Sequence, residues 1–360
     1  MSHAKVSRQP AGRKAIAAPL LYATLTVVAI AVSISAAMVF GSADITWNAT
    51  MSVIGHHLFG TELPSEVAKS SDTIIWQLRA PRGVLAAIVG AGLAVSGVAM
   101  QTLVRNPLAD PYLLGISAGA GVGATAVILF GVFSDAPIGA LTFGALLGAV
   151  AATIAVGAIA RAGGGLTPLR LVLSGVVLSA AFSALSSFMV FAGPDPRAAQ
   201  SVMFWMLGSV AGATWSKTAI PLAVLLMTLA FFLLKARHLD ALATGDSTAA
   251  AVGINVSALR SQVFVAQAVL VGTLVAVSGG IGFVGLVIPH LTRMLIGAAH
   301  RVVLPLAALF GGLFLVWVDI VARVIGGSQE MPLGVVTGLI GAPLFLYLMT
   351  RGNYTYGGSE

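Results

Sequence analysis

The sequence predicts an all-α membrane protein of about ten transmembrane helices, and three observations carry that prediction. Of the 360 residues, 58% are hydrophobic and only 9% are charged, whereas a soluble domain carries about 25% charged residues to cover its surface. Mean hydropathy is +0.99, so most of the outer surface must be apolar, which lipid permits. The apolar stretches at 222–234 and 302–318 are unbroken, unlike the period-two alternation of a membrane β-barrel. At about 20 apolar residues per span, this length holds about ten.

In chain order the hydrophobic runs place spans at 15–40, 80–104, 112–132, 137–160, 169–192, 217–235, 258–279, 281–298, 301–324 and 333–350. The first run follows Lys5, Arg8, Arg13 and Lys14 as a signal sequence would. It is longer than the roughly 7–15 residues of a cleaved signal, so it reads as a retained span. An even number of spans puts both termini on one side. On that side fall Lys5, Arg8, Arg13, Lys14, Arg105, Arg161, Arg170, Lys235, Arg237, Arg260, Arg293, Arg301 and Arg351; the other side takes Lys69, Arg79, Arg82, Arg197, Lys217 and Arg323. The richer side is cytoplasmic by the positive-inside rule. The expected organisation is a cytoplasmic tail at 1–14, a transmembrane domain at 15–351 and a cytoplasmic tail at 352–360.

Three connections are too long for simple turns. The outer segment 41–78 reads as a loop. The outer segment 193–216 carries a short amphipathic stretch around 203–207. The cytoplasmic segment 236–258 contains the alanine-rich run 248–252, read as a short helix closed by Gly253. Glycine recurs at small-xxx-small spacing, as in Gly115, Gly119 and Gly123, and in Gly334 and Gly338 near Gly341. That spacing lets helix backbones approach closely in lipid.

Several chemistries are excluded. Cysteine is absent, which removes disulfides, thiolate metal sites and cysteine nucleophiles. The net charge of +7 is spread singly between apolar runs, so no clustered nucleic-acid footprint exists. No Gly-Lys pair occurs, so the chain has no P-loop for ATP. The six histidines form no i, i+4 pair, which argues against a metal site, and His56 and His57 read as solvated loop residues.

Four features remain. Arg79 and Arg82 stand at the mouth of the second span, against the charge rule. Arg323 follows Asp319 by four residues, one helical turn, so the two read as a structural ion pair. Two prolines in Arg105-Asn106-Pro107-Leu108-Ala109-Asp110-Pro111 break the inner end of the second span. Pro289 in Ile288-Pro289-His290 reads as a comparable break in the second half, and paired broken helices hint at a repeat around a pathway. Gly175, Ser179, Ser183 and Ser187 recur every four residues in the fifth span, either as a packing face or as the lining of a wet pathway.

Three long motifs resemble the permease subunits of bacterial ABC importers for iron–siderophore, haem and cobalamin, the FecCD/BtuC-like family. They are Leu78-Arg79-Ala80-Pro81-Arg82 continuing to Asn106-Pro107-Leu108-Ala109-Asp110-Pro111, then Gly280 to His290, then Asp319 to Arg323 with Glu330 to Pro343. The resemblance runs from Gln77 to Arg351. It implies a homodimer of ten-span subunits in a bacterial cytoplasmic membrane, two cytoplasmic ATPase subunits below, and a substrate-binding protein above. The permease binds no cofactor of its own; ATP is hydrolysed by the partner. By position, Arg79, Arg82 and Arg323 correspond to arginines that dock the binding protein. The segment with Asp240, Leu242, Gly245, Asp246, Ala250 and Gly253 corresponds to the ATPase-coupling loop. Asn106 and Leu108 correspond to the cytoplasmic gate, and the stripe Gly175, Ser179, Ser183, Ser187 is expected to line the pathway.

Some cobalamin-type members carry small hydroxyl residues before the fifth span; here the sequence is Leu166-Thr167-Pro168-Leu169. The expected cargo is therefore a ferric siderophore, with haem and cobalamin as alternatives in the same class. An ion-coupled secondary transporter is the reading from a different class. It requires a carboxylate near mid-membrane, and the one span carboxylate, Asp319, lies toward the outer end. An intramembrane enzyme would need a nucleophile–base or metal-ligand set, and the sequence offers none.

Overall fold

The computed structural model describes residues 14–351 except 42, 66, 194, 196 and 327–329. The expected tails, with Lys5, Arg8 and Arg13, lie outside the described residues. Among them every regular element is a helix, with no strand. Seven helices are long and apolar enough to cross a membrane: α1 (Lys14–Val39), α3 (Lys69–Val104), α5 (Ala140–Ala162), α6 (Pro168–Ala192), α8 (Trp215–Leu234), α11 (Val256–Ser278) and α13 (His300–Gly326). Three shorter apolar helices, α4 (Ile116–Phe130), α12 (Val284–Ile296) and α14 (Leu333–Arg351), bring the set to the expected ten. Between them lie α2 (Trp47–Phe59), α7 (Ala198–Met206), α9 (Ala236–Thr244) and α10 (Asp246–Ala251).

Helix α3 is the centre of the fold. Its most apolar stretch is 83% buried, against 17% for α1 and 22% for α6, so α1 and α6 present faces that the rest of the chain does not cover. Glycine sets the closeness of α3 to its neighbours. A Cβ on Gly90 would run into the carbonyl of Gly311 in α13, and one on Gly97 into the carbonyl of Gly285 in α12. The same device joins α4 to α5, where Gly119 and Gly123 lie against the backbones of Gly148 and Gly144. Packing, rather than ligand binding, accounts for that glycine spacing.

Two boundaries depart from the sequence reading. The segment 41–78 is not a loop: it holds α2, capped by Thr46 accepting from Ala49 N–H, and the first turns of α3. The second helix therefore begins at Lys69, and Ile74–Arg79 within it is π-helical. His57 is not simply solvated. Its ring stacks on Trp76 with 4.3 Å between centroids and lies 2.9 Å from Asp72, and the Trp215 indole donates to the Trp76 carbonyl.

Candidate functional site

The Val104 end of α3 is terminated by its own backbone. Arg105 takes a left-handed conformation, with φ of 52°, and the Asn106 amide donates back to the Gln101 carbonyl at 3.1 Å, the six-to-one bond that closes a helix C-terminus. The Asn106 side chain accepts from the Leu108 amide, and the Asp110 side chain accepts from the Tyr112 amide, both as local turns. Pro111–Leu114 then forms one 3₁₀ turn ending at Gly115, which is left-handed. Asn106 and Leu108, the expected gate residues, are both exposed at this end. Burial pushes the Asp110 carboxyl up to about 6, and the hydrogen bond from Tyr112 only partly offsets it.

The second break lies earlier than expected. Pro289 sits inside α12 and does not interrupt it; the chain breaks instead at 279–283, where Phe283 is left-handed with φ of 66°. The proline is tolerated because a neighbour serves the carbonyls near it. Proline has no N–H for the carbonyl four residues back, here Gly285, and the Gln101 side chain donates to Leu286 O at 3.2 Å and Gly285 O at 3.5 Å. Gln101 also accepts from Arg293. The two breaks are tied together by Tyr112, whose phenol accepts from the Ile281 amide at 3.0 Å. Gln101 and Tyr112 were not singled out from sequence. The available signal was a glutamine deep in an apolar run, which in lipid must find a partner.

Beside this end lies the segment expected to couple to an ATPase. Helix α9 is amphipathic: Leu239 and Leu242 are fully buried while Arg237 and His238 are exposed. Leu242 is thus a core residue, not a contact surface. Asp240 accepts from the backbone and ring nitrogens of His300. Those hydrogen bonds outweigh the opposing effect of burial and hold its carboxyl below the ordinary range. Gly245 takes an open, positive-φ conformation between α9 and α10. Asp246 pairs at 2.8 Å with Arg260, which is buried at the start of α11. Ala250, Val252 and Gly253 form the exposed edge of the loop, Val252 being 66% exposed.

At the opposite end the three arginines meet one another. Asp319 is fully buried in α13. Its Oδ1 accepts from Arg82 Nε at 2.8 Å, and its Oδ2 stands 2.9 Å from Arg323. Arg82 also pairs with Glu330. Arg79 donates to the carbonyls of Met38, Val39 and Ala43, and Arg323 to those of Ala37 and Phe40. Ala37, Met38 and Val39 lie in the last turn of α1, where carbonyls lack a helical partner, and arginine supplies enough donors to satisfy several at once. Arg79 and Arg82, at the mouth of the second span by sequence, are only 7% and 8% exposed, because α3 continues past them back to Lys69.

The stripe on α6 divides. Gly175 packs against the Leu113 carbonyl, and Ser179 faces Gly115, so these two positions pack against the 3₁₀ turn. Ser183 and Ser187 are exposed, with Ser187 donating to the Ser183 carbonyl.

Comparison with known proteins agrees with this layout. Residues 25–351 match the model of the FecCD transport family. The chain is 40% identical to the vitamin B12 import system permease protein BtuC of Vibrio cholerae and 42% identical to the hemin transport system permease protein HmuU of Yersinia pestis. Each match covers 77% of this chain and 83% of the relative. A solved structure of a metal-chelate type ABC transporter in an inward-facing conformation superposes with a TM-score of 0.79 at 31% identity, covering 92% of this chain and 99% of that one.

Proposed function

Given that the chain belongs to the FecCD transport family, and is therefore an ABC importer permease of the FecCD/BtuC type that passes a membrane several times, we propose that it carries a ferric siderophore across the bacterial cytoplasmic membrane. The energy comes from a separate ATPase subunit. The observation that carries the importer reading is the pair of broken helices at 105–115 and 279–283, joined by Tyr112, with the first of them beginning beside α9. Irregular backbone at membrane depth is stable where it is held by protein around a path.

Both termini are cytoplasmic in this reading, as the distribution of Lys and Arg supports. Two ATPase subunits bind at 236–258, where Ala250, Val252 and Gly253 offer a small, partly apolar surface. A second copy of the chain covers α6, whose Val177, Phe188 and Phe191 are 66%, 65% and 90% exposed. The binding protein docks at the end that carries Arg79, Arg82 and Arg323. Since these guanidinium groups already have internal partners, a docking carboxylate would compete with Glu330, whose side chain is 43% exposed.

Siderophore is preferred over cobalamin because the segment Leu166–Leu169 before α6 offers one hydroxyl, Thr167, which accepts from the Arg170 amide as the helix cap, and Leu166 is buried. Relatives named for vitamin B12 and for hemin match equally well in coverage, so haem and cobalamin are the competing cargoes. Growth of a deletion strain tests the choice. Loss of growth on ferric siderophores alone, with haem and cobalamin use intact, is expected; loss on haem or cobalamin alone reassigns the cargo.

A further inference from the structure

A continuous line of polar side chains joins α9, next to the proposed ATPase contact, to the inner end of the central helix. Oδ1 of Asp240 accepts from the His300 backbone N–H at 2.9 Å and lies 2.6 Å from its ring Nδ1. An ionised carboxylate only accepts, so Nδ1 is assigned the proton. The other ring nitrogen, Nε2, lies 2.7 Å from Oγ1 of Thr102, and that hydroxyl lies 2.8 Å from the Val98 carbonyl within α3. His300 and Thr102 are each 3% exposed. Thr102 occupies the last turn of α3, next to Gln101 and just before the gate residues Asn106 and Leu108.

The rest of α9 holds to the bundle through Ala236, Leu239 and Leu242. Apolar contact of that kind is non-directional and allows a helix to slide. Hydrogen bonds have narrow geometry, so the Asp240–His300–Thr102 line fixes where α9 stands along α3. Beside it is a cavity of about 310 Å³ lined by Gln101, Thr102, Arg105, Asp240, Arg293 and His300, which leaves the two helix ends room to shift together.

We propose that His300 is a positioning residue: it locks α9 to the inner end of α3, so that displacement of α9 by the ATPase moves the gate. The proposal rests on the reading of 236–258 as the ATPase contact. Thr102→Val keeps the side-chain shape and removes the hydroxyl; Thr102→Ser keeps the hydroxyl.

The test uses the complete transporter in proteoliposomes, with its ATPase subunits and binding protein, measuring substrate uptake and ATP hydrolysis together. Thr102→Val should lower uptake per ATP about ten-fold, the order expected for one buried hydrogen bond left unmade, while ATP turnover stays within about two-fold of wild type. Thr102→Ser should restore the ratio. Adding His300→Ala to Thr102→Val should cause no further loss, since both cut the same line. If Thr102→Val fails to assemble, His300→Gln carries the same expectation. An unchanged ratio in Thr102→Val, or losses that multiply in the double variant, overturns the proposal. A wild-type chain that does not bind the ATPase at all overturns the parent reading instead.

Discussion

Arg82 and Asp319 lie 237 positions apart in the sequence, yet Nε of one donates to Oδ1 of the other at 2.8 Å with the carboxylate fully buried. Removing Arg82 leaves the buried Asp319 carboxylate with Arg323 as its remaining counter-charge, and breaking a buried ion pair costs up to about 3–5 kcal/mol. Arg82→Ala should therefore lower thermal stability in detergent sharply. The Arg82→Ala, Asp319→Ala double variant should lose less than the sum of the two singles. Additive losses in calorimetry would show that the two residues act independently.

Salt and charge reversal separate docking from stability at the same end. Glu330→Ala removes the competitor for Arg82 and should leave the fold intact, because the Arg82–Asp319 contact remains. Binding-protein affinity should rise about three-fold or more at low ionic strength and converge with wild type at high salt, as rim charges do. Titration of the purified transporter at several salt concentrations reads this directly; unchanged affinity at every concentration removes the docking role from Arg82.

Gly97 and Gly285 set the separation of α3 and α12. Gly97→Ala has no space for its Cβ against the Gly285 carbonyl, and overpacking of this kind costs about 1–3 kcal/mol. A lowered Tm should accompany it, whereas Gly253→Ala, with open space but a positive φ, should cost less.

Asp110 adds a pH dependence with a definite sign. Its carboxyl titrates at about 6 in the fold, against roughly 4 in an unfolded chain. The folded state thus holds the proton more tightly. The resulting stabilisation is complete below about pH 4 and is lost as pH rises through 6. Asp110→Asn keeps an acceptor for the Tyr112 amide and should flatten that part of the stability–pH curve.

The serine stripe gives an accessibility test. In this cysteine-free chain, Ser183→Cys and Ser187→Cys should react with aqueous thiol reagents in the assembled transporter. Ser174→Cys and Ser186→Cys, at 8% and 3% exposure, should not. Equal labelling of all four would mean that α6 is rotated or mobile.

Much of this architecture was legible in the chain because lipid imposes a simple rule: an apolar run long enough to span is a helix. The ten apolar helices and the glycine contacts at Gly119 and Gly123 follow from that. What the runs could not show is where polar side chains find partners across the fold. Pro289 looked like a break because proline lacks an N–H, and it is accommodated because Gln101 arrives from α3. Arg79 looked like the mouth of a span because the apolar run starts at Ala80, yet the helix continues back through Ile75 and Trp76 to Lys69. His300 gave no periodic signal, since its meaning depends on Asp240 and Thr102 being brought beside it.

The central claim is that this chain moves its cargo only when a separate ATPase drives it. The direct measurement is uptake of a ferric siderophore into proteoliposomes holding the purified chain, with binding protein outside, and with or without the ATPase subunits and enclosed ATP. Uptake that requires both the ATPase and ATP, and ignores proton and sodium gradients, is the predicted result. Accumulation driven by an ion gradient in vesicles without any ATPase would contradict the account.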